Sequence, residues 1–344
     1  MILHNKSYTI TVIFVFLLLI ISCKKDTENT LTIPILTTKN IVSVTAESAI
    51  TGGTVINDGG SLITQRGVCW NTSPNATINN NKAFDGSTGS GNFTTNISGL
   101  SGNTTYYIRA YATNSIGTGY GNEISFTTLI PCGTPVTDAD GNTYSSVKIG
   151  NQCWMAENLK TLPAVTGAEV GSQTTPYYYV NGYSGTNVNE ARATANFATY
   201  GVLYNWAAVM GGEPSSEANP SGVKGICPEG WHVPSNDEWT ELLNFLGGET
   251  VAGGKLKETG TTHWFSTHPE ATNESGFTAL PGESRLDHGI FNAPGFYGYW
   301  WSATDVSAVQ DLAYSLNIGC HGATVYRYDV DKSNGFSVRC VRPC

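Results

Sequence analysis

Between residues 31 and 129 the chain alternates apolar and polar residues over short runs, which end in clusters of Gly, Asn, Asp and Ser. Runs of this length with a period of two and no helical period are typical of β-strands. Clear examples lie at 48–51, 67–70 and 106–112, and turn clusters lie at 57–60, 86–91 and 114–119. The pattern predicts a β-sandwich of about a hundred residues.

The end of this segment resembles a fibronectin type III domain. The resemblance rests on Gly-Leu-Ser-Gly-Asn-Thr-Thr-Tyr at 99–106 and Ile-Arg-Ala-Tyr at 108–111. It implies that Tyr106 forms a tyrosine corner, in which the hydroxyl ties the loop to the backbone. The second-strand region lacks the family's tryptophan, and Trp70 is expected to fill part of that role. Because no Arg-Gly-Asp occurs and the fold alone implies no ligand, a spacer role is favoured over a binding role.

The first residues have the pattern of a processing signal. His4 and Lys6 precede an apolar run at 10–21, which is short for a membrane span of ~20 residues. Ile-Ile-Ser-Cys at 20–23 resembles a bacterial lipobox. The resemblance predicts a signal peptide at 1–22 and a lipid on Cys23, and the alternative is an uncleaved anchor or an ordinary signal peptide.

A charged stretch at 24–28 lies within a predicted lipidated tether, 23–30. It resembles the export signal of surface lipoproteins of the Bacteroidota, although a solvated tether is an equal alternative. We therefore expect a lipid-anchored, surface-exposed protein of the outer membrane, with the membrane as partner through Cys23. Charged residues make up only 13% of the chain and its net charge is −9. Without a basic stripe, nucleic acid is excluded as a partner.

Ile130-Pro131 forms a linker, and a second module is predicted from 132 to 344. Asp140-Gly141 between extended stretches predicts a hairpin. Asp138 and Asp140 do not form a calcium loop, because the glycine follows Asp140 directly and no glutamate completes a twelve-residue motif. Turn chemistry explains these aspartates better.

Two helices are predicted in the second module. Ser235 and Glu238 form a capping box, an apolar face follows it at 239, 242, 243 and 246, and Gly247-Gly248 ends the helix. A second helix is predicted over 200–210. Strands are predicted at 313–318, 323–328 and 336–341, so that the module is α+β.

Several phrases of this module resemble the Fibrobacter succinogenes major paralogous domain. They are Val-Lys-Ile-Gly-Asn-Gln-Cys-Trp-Met-Ala-Glu-Asn-Leu at 147–159, Cys-Pro-Glu-Gly-Trp-His-Val-Pro at 227–234, Trp-Trp-Ser-Ala-Thr at 300–304 and Gly-Phe-Ser-Val-Arg-Cys-Val-Arg at 335–342. The resemblance implies a surface or secreted bacterial protein, usually a lipoprotein, of no settled activity. The closing pattern is similar to C-type-lectin-like and formylglycine-generating folds, so we expect that architecture.

Neither relative's chemistry transfers to these residues. Calcium lectins use Glu-Pro-Asn or Gln-Pro-Asp with Trp-Asn-Asp, whereas Glu213-Pro214 is followed by Ser215 and no Trp-Asn-Asp occurs. The formylglycine-generating oxidase needs a copper-binding cysteine pair, and Cys340 and Cys344 are spaced differently. We predict no catalytic residue, metal or cofactor, while a site of paired carboxylates assembled in space stays open.

Cysteines in an exported chain indicate disulfides. Cys69 is expected to be a buried small hydrophobe. Cys132 and Cys153 flank the Asp140-Gly141 hairpin and suit a clasp across its open end. Cys227 and Cys340 lie in the two phrases that most resemble the family and are paired on that ground, which leaves Cys320 with Cys344. Six cysteines allow about fifteen pairings, of which this is one.

Aromatic residues are the candidate ligand-binding groups. The run at 296–301 contains Tyr297, Tyr299, Trp300 and Trp301, and rings with polar handles suit stacking on sugars or protein contacts. The favoured alternative is that these rings fill the core, because large aromatics are usually buried.

Together these patterns predict a multidomain chain, with a fibronectin type III-like β-sandwich followed by an α+β C-type-lectin-like module. We expect a surface lipoprotein with a non-catalytic binding or adhesion head for a glycan or a protein. The alternatives are a polysaccharide hydrolase of the envelope and a purely structural surface component.

Overall fold

The computed structural model describes residues 30–266, 270–292 and 295–344. The predicted signal peptide, the lipid site Cys23 and all but the last residue of the tether lie outside these ranges. Among the described residues, no helix has the length and apolar character needed to cross a membrane.

The first eight strands form a β-sandwich. One sheet has the order β1-β2-β5, and the other has the order β4-β3-β6-β7 with β8 also pairing with β6. The strands are β1 (Ile35–Val44), β2 (Ser48–Asn57), β3 (Gln65–Asn71), β4 (Asn81–Phe84), β5 (Gly91–Ser98), β6 (Thr105–Thr113), β7 (Thr118–Tyr120) and β8 (Ile124–Thr127). Inward-facing residues of both sheets, Trp70 among them, share one core. The predicted sandwich is therefore present.

The tyrosine corner implied by the fibronectin resemblance is also present. Tyr106 is buried at the start of β6, and its hydroxyl oxygen accepts a hydrogen bond from the Ser101 backbone nitrogen at 3.0 Å. The bond holds the loop before β6 against the strand, which is the physical purpose of this motif.

Within its described residues, the second module combines small antiparallel sheets with five helices. Its sheets have the orders β10-β9, β11-β12-β18, β13-β14 and β15-β16-β17. The strands are β9 (Val136–Thr137), β10 (Thr143–Tyr144), β11 (Ser146–Ile149), β12 (Gln152–Met155), β13 (Tyr178–Tyr179), β14 (Leu203–Tyr204), β15 (Tyr297–Asp305), β16 (Leu312–Gly319), β17 (Val325–Asp331) and β18 (Val341–Pro343). The helices are α1 (Val188–Arg192), α2 (Ala195–Tyr200), α3 (Trp206–Met210), α4 (Asn236–Phe245) and α5 (Glu249–Leu256).

Helix α4 begins as its sequence predicts. The Ser235 side chain accepts from the Glu238 backbone nitrogen, and the Glu238 carboxylate accepts from the Ser235 backbone nitrogen, which completes the capping box. Glu238 is also buried and contacts His232, whose Nε2 lies 2.7 Å from the carboxylate. The cap therefore ties the helix to the segment before it as well as satisfying its first amides.

The single helix predicted over 200–210 is wrong. Helix α2 ends at Tyr200, Gly201 has a φ of 77°, and a short strand, β14, pairs with β13 before α3 begins at Trp206. A side chain at Gly201 would approach the Leu159 carbonyl oxygen at 2.6 Å. The periodicity of this segment is thus overridden by a close backbone contact that only tertiary structure creates.

The strand predicted over 336–341 is also wrong in extent. Only the last part belongs to β18, while Phe336 and Ser337 make isolated bridges to Tyr204 and Trp300. This stretch makes single β-bridges with several different elements, so no regular β-ladder forms along it.

The predicted hairpin is present between β9 and β10. The Asp138 carboxylate accepts hydrogen bonds from the backbone nitrogens of Asp140 and Asn142, each at 2.9 Å, and from the hydroxyls of Tyr144 and Thr161. Burial alone would raise the pKa of Asp138, but the hydrogen bonds from Tyr144 and Asn142 outweigh it and lower the pKa. Asp138 therefore organises the turn.

Candidate functional site

The predicted aromatic run lies in strand β15, where successive side chains point to opposite faces of the sheet. Trp300 and Trp301 are both 0% exposed, which corrects their prediction as ligand-binding residues. The Trp300 indole donates to Asn158 Oδ1 at 2.9 Å, and the Trp301 indole donates to the Tyr204 carbonyl at 2.7 Å. Both rings fill the core with their polar atoms satisfied, as large buried aromatics usually do.

The two tyrosines of the run are less buried than its tryptophans. Tyr297 is 46% exposed and Tyr299 is half-buried. Both point to the face of the β15-β16-β17 sheet opposite to Trp300, because residues two apart on a strand share a face. Trp301 shares that face but is covered by Phe336, whose ring centroid lies 4.7 Å away.

Strand β17 adds two further tyrosines to this face. Tyr299 pairs in register with Asn317 of β16, and Asn317 pairs with Tyr326 of β17. Tyr328 follows on the same side of β17, and Tyr326 and Tyr328 are 49% and 46% exposed. We call these four residues, Tyr297, Tyr299, Tyr326 and Tyr328, the tyrosine face.

The rings form two pairs on this face. Tyr297 and Tyr299 have ring centroids 6.0 Å apart, and Tyr326 and Tyr328 stack at 6.2 Å. Between the two pairs, Ser315 and Asn317 are each only 2% exposed. The short side chains of β16 thus lie beneath the tyrosines, and phenol rings and hydroxyls make the surface.

A buried carboxyl group adjoins this face. Glu283 is 2% exposed, and its backbone nitrogen donates to the Tyr297 carbonyl at 3.2 Å. No described residue makes a hydrogen bond of ordinary geometry to either carboxylate oxygen, and the same holds for the amide nitrogen of Asn181. Burial raises the pKa of Glu283 to about 8, and the Asn181 side chain opposes this rise.

The backbone at Glu283 is unusual as well. Its φ of 71° lies in the left-handed region, which costs a residue with a Cβ free energy. A strained backbone, a buried carboxyl and a raised pKa occur here in one residue. Such combinations are concentrated at functional sites.

A second carboxylate acts electrostatically on Tyr200, as Glu283 does. Glu258 contacts His263, with 2.9 Å between Oε2 and Nδ1, and the ring of Tyr200 lies edge-on to His263 at 5.8 Å. Burial raises the pKa of Tyr200, with smaller contributions from the charges of Glu283 and Glu258. The negative charges of both carboxylates therefore act on Tyr200.

Sequence reasoning missed part of this site. Tyr326 and Tyr328 could have been found, since they alternate within a predicted strand with polar neighbours. Glu283, Asn181 and Tyr200 lie far apart along the chain without a shared motif, and only folding brings them near one another.

The cysteines are placed partly as predicted. Cys132 is bonded to Cys153 and Cys227 to Cys340, which are two of the three predicted pairs. The third pair, Cys320–Cys344, is wrong. Cys320 is buried in the core around Trp239 and Trp300, whereas Cys344 lies beside Cys132. Cys69 is buried, as expected, and its burial raises its pKa to about 11.

Comparisons with known proteins identify the second module. The family model described as the Fibrobacter succinogenes major domain matches residues 147–342. This range is more than half of the 344 residues, so the chain belongs to that family. The comparison with curated proteins found no match.

Several solved structures are similar to part of the chain. The sensor domain of the anti-sigma factor RsgI4 of Pseudobacteroides cellulosolvens is 19% identical with a TM-score of 0.22, covering 29% of this chain and 98% of that one. Titin domains A168–A170 are 21% identical with a TM-score of 0.23, covering 29% and 32%. A fibronectin type III domain of the human KIAA0970 protein is 11% identical with a TM-score of 0.21, covering 28% and 73%. At these values none of them carries an argument about function.

Proposed function

We propose that this protein is a recognition protein of the bacterial envelope whose tyrosine face binds a glycan without catalysis. The observation that carries the proposal is the cluster of four tyrosines on one sheet face. Exposed aromatic rings stack on the apolar faces of sugar rings, and their hydroxyls bond to sugar hydroxyls. The rings and hydroxyls of the tyrosine face offer both kinds of contact.

The remaining parts of the chain suit this role. We propose that Cys23 carries a lipid that anchors the protein in the outer membrane, facing outward, and that the β-sandwich is a spacer. The lipobox-like phrase at 20–23 supports the anchor. We also propose a C-type-lectin-like architecture for the second module, supported by its small antiparallel sheets and by the family's closing phrase.

A glycan-binding screen on the chain from residue 24 onward tests the ligand. The variant Tyr326→Ala/Tyr328→Ala removes two of the four rings of the tyrosine face and is expected to weaken binding at least tenfold, equivalent to about 1.4 kcal/mol. The matched control is Phe245→Ala, which removes a ring that is 64% exposed and lines a separate cavity of about 730 Å³ beside α4. Circular dichroism checks that both variants fold.

Two outcomes contradict the proposal. One is the absence of binding to any glycan, and the other is binding that Phe245→Ala abolishes while the tyrosine variant retains it. The first result leaves a protein ligand or a structural role, and the second moves the site to α4.

One observation favours a glycoside hydrolase as the second candidate. Burial raises the pKa of Glu283 to about 8, and the charges of both Glu283 and Glu258 act on Tyr200. Glycosidases use two carboxyl groups, one of which has a raised pKa and acts as the general acid. Assaying the same incubations for new reducing ends decides, since the binding proposal expects none.

A further inference from the structure

Three cysteines of the second module meet at one place. Cys132 is bonded to Cys153, and the sulfur of Cys344 lies 2.8 Å from the sulfur of Cys132. All three sulfurs lie within 4.8 Å of one another. Within the described chain, Cys344 is not bonded to another cysteine. One disulfide and one thiol therefore share a site.

The backbone holds the third sulfur in position. Strand β18 pairs with β12, so that Arg342 lies opposite Cys153, and the Cys344 nitrogen donates to the Asn151 carbonyl at 3.1 Å. The Arg342 guanidinium also donates to the Pro131 carbonyl at 3.0 Å, which fixes the residue before Cys132. The proximity of the sulfurs thus follows from pairing of the module's two ends.

We propose that Cys132 is the shared member of an exchangeable disulfide, paired with Cys153 in one form of the protein and with Cys344 in the other. The Cys344 thiolate attacks the sulfur of Cys132, the Cys132–Cys153 bond breaks, and its electron pair leaves on the sulfur of Cys153. That sulfur then takes a proton from solvent, which balances the proton lost by Cys344. No oxidant or reductant is consumed, because one disulfide and one thiol are present before and after the step.

Exchange moves the free thiol between two environments. With Cys132–Cys153 formed, the thiol is on Cys344, which is half-buried at the end of the chain. With Cys132–Cys344 formed, it is on Cys153, which is buried. The second bond also joins residues 212 positions apart instead of 21, and a longer closed loop constrains the unfolded chain more. The exchange therefore hides the thiol and ties together the two ends of the module.

The rate depends on the thiolate of Cys344. Burial raises the pKa of this thiol, and the nearby charges of Lys148 and Arg342 oppose the rise. Since the thiolate is the attacking species, exchange is expected to accelerate about tenfold per pH unit below that pKa.

Peptide mapping of the chain from residue 24 onward, purified without reductant, tests the proposal. The sample is acidified to stop exchange and digested with pepsin at low pH, and linked peptides are identified by mass spectrometry. We expect both Cys132–Cys153 and Cys132–Cys344. The variant Cys344→Ser should retain only the first and Cys153→Ser only the second, while Cys320→Ser, the control, should retain both.

Native alkylation with N-ethylmaleimide then tests interconversion. The reagent captures Cys344 in the first form, so the Cys132–Cys344 species should be lost at the rate of the reverse step, in which the Cys153 thiolate attacks the sulfur of Cys132, and this rate should rise from pH 7 to pH 8. A single pairing in the native chain overturns the proposal, as do two pairings that do not interconvert. Both results are read from the native sequence and stand even if Cys153→Ser fails to fold.

Discussion

At the scale of single residues, the family's phrases supply a buried polar frame. The Arg339 guanidinium, fully buried, donates to Asn158 Oδ1 at 2.7 Å and to the carbonyls of Met155, Phe277 and Thr278. Burial lowers the pKa of Arg339 to about 9. Each nitrogen of the Arg339 guanidinium therefore has an acceptor, as structural polar groups require. The carboxyl of Glu283, outside these phrases, has only the Asn181 side chain to oppose the effect of burial on its pKa, which is why we assign it to the site.

Glu283 should make stability depend on pH. Its folded pKa of about 8 exceeds the ordinary value of 4.5, so the folded state binds more protons between these pH values, and stability falls as pH rises through them. The variant Glu283→Gln removes this dependence. In urea unfolding, the unfolding free energy of Glu283→Gln relative to that of the native chain should increase by about 4 kcal/mol between pH 4.5 and pH 8. Above pH 8 the difference should stay constant.

Glu229→Gln, which removes an exposed carboxylate, is the matched control for this comparison. If the difference between Glu283→Gln and the native chain were the same at pH 5 and pH 9, the carboxyl of Glu283 would not be held protonated by the fold.

At the scale of elements, strand β15 decides which aromatics reach solvent. The alternation of a strand sends neighbouring residues to opposite faces. Here one face contacts the core around Trp154 and Phe277, where Trp300 lies. The other face is partly open at Tyr297, and Phe336 closes it over Trp301. The aromatic run therefore contributes Trp300 and Trp301 to the core and Tyr297 to the surface. The interpretation as core residues holds for the tryptophans, and the interpretation as surface residues holds for Tyr297.

Two glycines of this sheet should respond differently to alanine. A Cβ at Gly298 of β15 would overlap the Trp300 ring and lie 2.7 Å from the Leu280 carbonyl oxygen. A Cβ at Gly319 of β16 would meet only the Tyr297 ring, at 3.2 Å. We expect Gly298→Ala to cost about 2–3 kcal/mol of unfolding free energy and Gly319→Ala less than about 1 kcal/mol.

The two costs differ because the ring beside Gly319 can move and the ring beside Gly298 cannot. Tyr297 is exposed and can move aside, whereas Trp300 is buried in a packed core. Equal losses in chemical denaturation would show that Trp300 is not packed as tightly as described.

At the scale of the whole molecule, the last strand joins the module to its linker. Arg342 of β18 donates to the carbonyls of Ile130 and Pro131, and its guanidinium lies 4.8 Å from the ring centre of Trp231. The start and end of the second module are thus held together by hydrogen bonds, a β-sheet and the cysteine site.

The proposed lipid anchor leads to a prediction for the intact protein. In the native bacterium, Cys23→Ser should shift the protein from the membrane fraction to the soluble fraction, because the acyl chains supply the membrane affinity. Cys69→Ser, which alters a buried thiol of the sandwich, is the control and should stay with the membrane. Retention of Cys23→Ser in membranes would instead indicate an uncleaved apolar anchor.

The sequence by itself determined the features that depend on neighbours along the chain. Strand alternation and turn clusters predicted the sandwich, Ser235 and Glu238 predicted the start of α4, and the phrases at 147–159 and 335–342 predicted the family. These signals are local, because caps, turns and periodic faces are formed by residues a few positions apart.

Tertiary structure alone decided the rest. Gly201 ends a helix because another segment's backbone lies close to it, and Cys344 reaches Cys132 because β18 pairs with β12. Trp301 is covered by Phe336, while Glu283 and Asn181 are buried together near the tyrosine face. Each of these outcomes depends on contacts between residues distant in sequence, for which the local pattern carries no information.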